Sequence, residues 1–450
     1  MNIILVRPNY NTHIITPPLG IGYISAYLKK HSFDVKIIDG LRLRINNKFL
    51  AKMCSDADIV GISCLTAYYK KVINLCGHLK QLNKTVVIGG PHATVMPRET
   101  LKETLADYVV IGEGEQSFLE LVQKMESGQN EIKIPGVLSA DSEHIIEREM
   151  ISDLDSLPVP DWDGLELKGY QRAPHGGIVK RFPVAPVITS RGCSYACYYC
   201  CSSNIWKGKT RYRDPVKVVD EIEMLVKKYK VKEIHFEDDI ITEKPSHIQS
   251  ICFELINRNI DISWALPNGI RVDQTTSGLF HLMAASGCFS VAFGIESLCE
   301  KIRSSVNKKI SNKIIIEAIK NAKKCGLITQ GFFIFGLPGE TEVTMKQTLS
   351  LALDLPIDKA QFLILDVLPG SVLWRQLKNK LLCRYEHDSF REPNYLPEGL
   401  TVKNLVKMQS YSFRKFFFRP RQIFLILRFL KLRQFFYVFK RIFDFKVFHF

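Results

Sequence analysis

Three cysteines, Cys193-Ser-Tyr-Ala-Cys197-Tyr-Tyr-Cys200, lie at i, i+4 and i+7 just after a strand-like run at 184–190 and the turn Arg191-Gly192. Thiolates spaced this way on one short loop can wrap a corner of a cubic 4Fe–4S cluster, whose irons are held by cysteine sulfur. Three protein ligands leave the fourth iron open to another molecule. A zinc site would ask for a fourth Cys or His at matching spacing. Cys201 cannot join Cys200 on one ion alongside the other two, and it is read as a bystander. Three structural cysteines of a core are the remaining alternative, and the Gly, Ser and Tyr around them count against a helical core.

The elements that must hold this loop form two runs of alternating strands and helices. Residues 184–370 read as strands at 184–190, 233–237, 262–267, 289–295, 328–335 and 360–367, with helical stretches between them. Six βα units are too few to close an eight-stranded barrel. A partial (β/α)6 barrel of TIM type is expected, with its chemistry at the carboxyl ends of the strands. Those ends carry the cysteine loop, Glu237-Asp238-Asp239, Asn268, Gly269 and Arg271, Glu296-Ser297, Gly336-Leu337-Pro338-Gly339-Glu340 and Pro369-Gly370. Acids at strand ends also cap helices, and Asp239 and Glu340 are open to that reading.

Upstream, residues 1–127 read as strands at 2–6, 34–39, 59–63, 85–89 and 108–111, with helices at 19–31, 47–56, 68–83, 97–105 and 115–127. This is the α/β pattern of a parallel, doubly wound, Rossmann-like sheet. Ligands of such sheets sit beyond the carboxyl ends of the strands. There the chain places Pro17-Pro18-Leu19-Gly20-Ile21-Gly22, Ser63-Cys64-Leu65-Thr66, Gly89-Gly90-Pro91-His92-Ala93 and Gly112-Glu113-Gly114-Glu115. Glycines at such points let a bulky ligand approach the backbone, although ordinary strand-to-helix turns use the same residues. No Gly-x-Gly-x-x-Gly follows the first strand, which argues against a dinucleotide. The domains expected are 1–130, a Pro-rich linker at 131–183, the barrel at 184–375 and a helical C-terminal region at 376–450.

The cysteine loop and the segments 236–239, 268–271, 294–297 and 335–340 match, in order, the strand motifs of radical S-adenosyl-L-methionine (SAM) enzymes. The chain resembles that family over nearly all of residues 1–420. Over residues 1–150, its Pro-Pro-Leu-Gly, Gly-Gly-Pro-His-Ala and Gly-Glu-Gly-Glu loops resemble the cobalamin-binding domain that precedes the barrel in one subgroup. That subgroup includes hopanoid methylases and the anaerobic magnesium-protoporphyrin IX monomethyl ester cyclase. The resemblance implies that Cys193, Cys197 and Cys200 ligate a 4Fe–4S cluster whose open iron chelates SAM. An electron from the cluster then cleaves SAM to a 5′-deoxyadenosyl radical.

It also implies SAM contacts from Tyr199, Glu237, Asp238, Asp239, Asn268, Arg271, Glu296, Gly336 and Pro338. Carboxylates at 237–239 suit the amino group, Arg271 suits the carboxylate in fork geometry, and Glu296 suits the ribose. The cobalamin contacts it implies are Pro18, Leu19, Gly20, Ser63, Thr66, Gly89, Gly90, His92, Gly112, Glu113, Gly114 and Glu115. Other cobalamin domains place a histidine under cobalt through Asp-x-His-x-x-Gly. The loop at 11–16 has His13 without that Asp or Gly, so no histidine ligand is expected. No catalytic residue is designated beyond the cluster and SAM ligands.

The expected outcome is functionalisation of an unactivated carbon, by methyl transfer or by oxidative cyclisation, with a low-potential electron donor such as flavodoxin or ferredoxin. Two rivals make different demands. A methylthiotransferase of tRNA or protein needs three more cluster cysteines in its N-terminal domain, and Cys54, Cys64 and Cys76 occupy strand and helix positions away from a common rim. A corrinoid or iron–sulfur sensor would bind without turnover.

The 450 residues, 46% hydrophobic and 24% charged, allow two or three globular domains. Twelve cysteines without a secretory signal point to a reducing cytoplasm, and no uncharged apolar run nears the ~18 residues of a membrane span. The net charge of +15 is concentrated: residues 411–450 hold ten Lys/Arg against one acid, Asp444, and 13 of the 27 phenylalanines. The rest of the chain is nearly balanced, so no nucleic-acid partner is expected. The tail reads as helix, break at Pro420, helix. Either it covers the open side of the barrel, its arginine stems on apolar surface, or it lies on an anionic membrane. The second is favoured, with peripheral association at the inner membrane face and a hydrophobic substrate such as a lipid, isoprenoid or tetrapyrrole.

Overall fold

The structure, a computed structural model, describes residues 1–12, 15–129, 133–170, 179–385 and 392–429, with backbone alone for 426–429. The chain forms two compact units, Met1–Gly176 with Cys201–Lys217, and Gly177–Cys200 with the chain from Val218 onward. His13 and the linker residues Pro174, Gly176 and Gly177 lie outside the described residues.

In the first unit, β1 (Ile3–Arg7), β2 (Val35–Asp39), β3 (Ile59–Ser63), β4 (Thr85–Gly89), β5 (Tyr108–Val110) and β6 (Val137–Ser139) make one sheet in the order β2-β1-β3-β4-β5-β6. All pairs are parallel except β5–β6. The aliphatic run of β1 is buried along its whole length, as expected of a strand covered on both faces. Helices Leu19–Lys30 and Gly114–Glu126 each turn an apolar stripe inward. A Cβ on Gly61 would meet Leu5 at 2.6 Å and Phe118 at 3.4 Å, so this glycine sets how closely the second helix approaches β3.

The expected linker is largely part of this unit. β6 extends the sheet, and Trp162, Leu165, Leu167 and Tyr170 are buried. Asp161 accepts from Ser25 Oγ at 2.7 Å and Lys29 Nζ at 2.6 Å on the first helix. Tyr170 donates its hydroxyl to the buried Asp39, which is also held by Arg7. Proline density marked irregular backbone correctly, but irregular backbone with buried aromatics and leucines is packed structure and not a tether.

In the second unit, β7 (Val184–Val187), β8 (Glu233–Phe236), β9 (Ser263–Ile270), β10 (Cys288–Glu296), β11 (Ile328–Phe335) and β12 (Lys359–Ile364) form a wholly parallel sheet in sequence order. Each strand is a direct neighbour of the next, as repeated βα units with short connections give. Two register shifts, between Leu266 and Ile270 and between Gly294 and Glu296, fall at carboxyl ends, and a third lies between Trp264 and Ala265 near the start of β9. Such bulges re-aim side chains, and Glu296 takes a left-handed φ of 62°.

Helix Val402–Phe417 packs on β12, with Leu405, Met408 and Phe416 buried and Gln409 Nε2 donating to Phe362 O at 2.7 Å. Phe362 meets Phe333 and Phe335 on one side and Phe413 and Phe416 on the other. The first part of the basic tail is therefore barrel core. That departs from the expectation that its phenylalanines serve a membrane. Among the described residues, no helix is long and apolar enough to cross one.

Candidate functional site

The thiol loop is held from two sides of the second unit. Tyr198 N donates to Val306 O at 3.1 Å, Leu373 N donates to Tyr198 O at 2.9 Å, and Asn307 Nδ2 donates to Ala196 O at 2.8 Å. Within the loop, Cys200 N closes a turn on Cys197 O at 3.1 Å. Cys193, Cys197 and Cys200 are outside any disulfide and of intermediate exposure, as is Cys201. No three His, Cys, Asp or Glu side chains among the described residues are grouped to hold a single metal ion. A cubane asks something else, one thiolate on each of three irons, and a half-exposed loop with three thiols outside any disulfide suits it.

Around this loop the strand ends divide into two groups. Glu296, at the end of β10, accepts from Tyr199 OH at 2.9 Å and from Lys308 Nζ at 2.6 Å, with both members of the ion pair nearly buried. Burial and the Glu296 carboxylate push the Tyr199 phenol well up. A Cβ on Gly294 would come within 2.8 Å of both charged groups, so glycine makes room for this pair. Arg271 stacks over the Tyr195 ring, within the thiol loop, at 3.8 Å and forms a two-point pair with Asp273. Asn268 and Asp239 are exposed and Glu237 is half-buried; Asn268 Nδ2 reaches Asp238 O at 3.5 Å.

The other group is turned inward. Asp238 accepts at one oxygen from Thr189 N at 3.0 Å, Thr189 Oγ1 at 2.8 Å and Ser190 Oγ at 2.6 Å. It thus fixes the approach of the chain to the thiol loop, and burial raises its pKa to about 6. Glu340 accepts from Gly336 N at 2.6 Å and Leu337 N at 3.2 Å, closing its own turn, while its other oxygen is buried without a partner. Burial raises it to about 8. Gly336 faces Leu405 and Leu365, and Pro338 O accepts from Ser305 Oγ at 3.4 Å. The structure brings Tyr199, Glu296 and Arg271 to the thiol loop; Gly336 and Pro338 belong to the neighbouring turn.

Lys308, Tyr195, Thr189 and Ser190 escaped the sequence reading. Lys308 lies in the loop after helix Glu300–Ser305, where a search of strand ends does not look. The only available signal was a lysine following a glutamate-ended strand by one helix.

In the first unit, Cys64 N donates to Gly89 O at 2.8 Å and His92 N to Cys64 O at 3.1 Å, lacing the loops after β3 and β4 together. Gly90, at φ 102°, is needed there because a Cβ would meet Cys64 O at 2.9 Å. Gly114 makes room in the same way for Ile24. These two glycines admit protein neighbours. Gly20 and Gly112 differ, since a Cβ on either would meet nothing within 4 Å. His92 is buried against Tyr69, its Nδ1 2.9 Å from Thr66 Oγ1, and burial lowers it to about 4.

Leu19 is buried, Pro18 caps the first helix, and Ser63 and Thr66 are half-buried at the end of β3. Glu113 is held by Ile151 N at 2.9 Å and Arg211 at 2.6 Å, and Glu115 is buried. A cavity of about 270 Å³ opens beside β5, lined by Gly112, Glu113, Thr94, Met150 and Ile205 among others. Open glycine edges and an adjoining cavity at the strand ends suit a large ligand laid over the sheet.

A family model described as the B12 binding domain matches residues 11–122, and one described as the Radical SAM superfamily matches residues 187–352. The fold and site together thus define a radical SAM enzyme with a cobalamin-binding unit. An uncharacterized methyltransferase of Pyrococcus horikoshii is 32% identical over 438 residues, covering 94% of this chain and 93% of the relative. The anaerobic magnesium-protoporphyrin IX monomethyl ester cyclase of Rubrivivax gelatinosus is 29% identical over 436 residues, covering 93% of this chain and 77% of that protein. The radical SAM methyltransferase TsrM of Kitasatospora setae shares the fold, with TM-score 0.74 at 17% identity over 93% of this chain and 89% of that one. The chain belongs to the cobalamin-dependent radical SAM methyltransferase family, whose cofactors are a 4Fe–4S cluster, SAM and cobalamin.

Proposed function

We propose that this protein methylates an unactivated carbon of its substrate. One observation carries the reading: the three-thiol loop, the Tyr199–Glu296–Lys308 cluster and the Arg271–Tyr195 stack meet at one end of a single parallel sheet. Cys193, Cys197 and Cys200 hold the cluster. Glu296, oriented by Tyr199 and Lys308, receives the SAM ribose, and Arg271 faces the SAM carboxylate from its platform on Tyr195. Glu237, Asp239 and Asn268 line the amino-group side, with Gly336 and Pro338 at the adenine edge. Asp238 is a positioning residue, acting through Thr189 and Ser190. In the first unit, Pro18, Leu19, Gly20, Ser63, Thr66, Gly89 and Gly112 form the cobalamin rim, and His92 packs behind Thr66 without ligating cobalt. Gly90, Glu113, Gly114 and Glu115 support that rim from within. When bound, the cofactors supply hydrogen abstraction by a carbon radical and a transferable methyl group, with electrons from a flavodoxin- or ferredoxin-like donor.

A tetrapyrrole is the substrate class to test first, because one relative is named for a protoporphyrin ester. The experiment is anaerobic reconstitution followed by assay of iron, sulfide, bound corrinoid and 5′-deoxyadenosine, with methyl-labelled SAM and candidate tetrapyrroles. Label in a carbon-methylated product supports the reading. A reconstituted protein that binds no corrinoid, or forms an unlabelled ring-closed product, overturns it.

A further inference from the structure

The C-terminal helices run from one end of the barrel to the other, and this gives the basic tail a definite place. Leu405 lies against Gly336, just past the carboxyl end of β11. One turn on, Gln409 reaches Phe362 O in the middle of β12. Past the break at Pro420, Arg421 contacts Pro356 O and Asp358 at 3.3 and 3.2 Å, and Gln422 reaches Ile357 O at 3.4 Å. Arg419 donates to Leu353 O at 2.7 Å. Residues 353–358 precede β12. Helix Val402–Phe417 therefore descends antiparallel to β12 and delivers helix Pro420–Phe429 to the amino-terminal end of the barrel. The thiol loop follows β7 in the same parallel sheet, so it stands at the opposite end. Six residues of β12 at ~3.3 Å each put the two ends roughly 20 Å apart.

At the delivered end the surface changes character. Ile423 and Phe424 are exposed on the helix, Phe424 by 70%, and Phe418 is exposed beside them. Beyond Arg421 the sequence carries six more Lys/Arg (Arg428, Lys431, Arg433, Lys440, Arg441 and Lys446), a single acid, Asp444, and nine phenylalanines beyond Phe418. An exposed aromatic–aliphatic pair adjoining strongly cationic, Phe-rich chain is complementary to one kind of partner, a bilayer with anionic headgroups over an apolar interior.

We propose that Phe418 and helix Pro420–Phe429 anchor this protein to an anionic membrane by the amino-terminal end of its barrel, leaving the thiol rim directed away from the lipid. The anchor fixes where the enzyme works but does not feed lipid into the rim. The hydrophobic-substrate argument from the tail accordingly loses its geometric basis, since a membrane-dissolved molecule would have to leave the bilayer to reach the cluster.

The test uses the full-length protein with vesicles of phosphatidylcholine alone or mixed with phosphatidylglycerol. Wild type is expected to co-sediment with the anionic vesicles at low salt and to be released at high salt. Lys431→Gln/Arg433→Gln should lower the partition coefficient about thirty-fold, at about 1 kcal/mol per charge. Phe424→Asp should lower it at least about ten-fold. Orientation is read with brominated lipid: a Phe424→Trp probe should be quenched, and a Val343→Trp probe, on the exposed helix that follows the 336–340 turn, should not. Failure to sediment, unchanged binding in the variants, or equal quenching of both probes overturns the proposal. So does a lipid-free dimer that Phe424→Asp converts to monomer, because a second copy would then cover this face. None of these outcomes depends on cluster, SAM or methyl transfer, so failure here leaves the proposed reaction standing.

Discussion

Lys308 gives the sharpest test of how the rim is built. Its ammonium lies 2.6 Å from Glu296, with the two side chains 6% and 7% exposed. Removing one member of a buried ion pair costs about 3–5 kcal/mol, because the other is left uncompensated, whereas replacing both by neutral groups of similar shape is close to neutral. Lys308→Met keeps the aliphatic stem and removes the charge, leaving Glu296 with Tyr199 as its donor. The single variants Lys308→Met and Glu296→Gln should each lose about 3 kcal/mol or more of local stability. Lys308→Met/Glu296→Gln should recover much of it, for a coupling of at least about 2 kcal/mol. Hydrogen–deuterium exchange on peptides covering Cys288–Glu296 reads this locally, so that opening of the first unit does not enter. SAM affinity, measured in parallel on the reconstituted protein, should stay weak in the double variant, since its stability returns without its carboxylate. Additive stability losses would refute the ion-pair argument, and wild-type SAM binding in the double variant would refute the role given to Glu296.

Cys193→Ala, Cys197→Ala and Cys200→Ala should each abolish 5′-deoxyadenosine formation while Cys201→Ala spares it, with iron content as the companion measurement; equal loss at Cys201 would mean the ligands are misassigned. Glu340 is raised from 4.5 to about 8 by burial, so its contribution to stability is fully present below about pH 4.5 and is lost as pH rises through about 8. At about 1.4 kcal/mol per pKa unit this amounts to at most about 5 kcal/mol, and Glu340→Gln should flatten that part of the stability–pH curve in calorimetry between pH 5 and 9. Asp238→Ala should lower iron incorporation although Asp238 contacts no thiol, because Thr189 and Ser190 lose their acceptor, while Asp238→Asn, which keeps one carbonyl oxygen, should retain most of it.

Strand and helix order was legible because both sheets are covered on their faces, and apolar runs such as Ile3–Arg7 then stand out against polar turns. The thiol loop was legible because its chemistry is local, three residues within eight. Lys308 was not: its partner is twelve residues away across a helix, and a lysine in a loop carries no periodic mark. Asp238 and Asp239 are adjacent and chemically alike, yet one is buried on backbone and hydroxyl donors and the other is exposed. Only the direction of the chain after β8 separates them. The segment at 133–170 misled for the opposite reason, since prolines announce irregular backbone and say nothing about whether Trp162 or Tyr170 finds a core. The tail combined both problems, with Phe416 inside, Phe413 half-buried, and Phe418 and Phe424 outside within twelve residues of one composition.

The rim carries its own support without calling on a bound group. The loop between Gly192, at φ 112°, and Cys200 has no regular secondary structure to hold it. Three hydrogen bonds tie it to the 306–307 loop and to the start of helix Val372–Leu377. Asp238 fixes the chain where it enters, and Tyr199 and Tyr195 fasten it to Glu296 and Arg271. A loop pinned at so many points presents its thiols in one arrangement, and the ordering entropy has been met by folding before any ligand arrives. The acids turned inward are thus part of the site as fully as those turned outward: Asp238 and Glu340 hold backbone, so that Glu296 and the thiols can hold what binds.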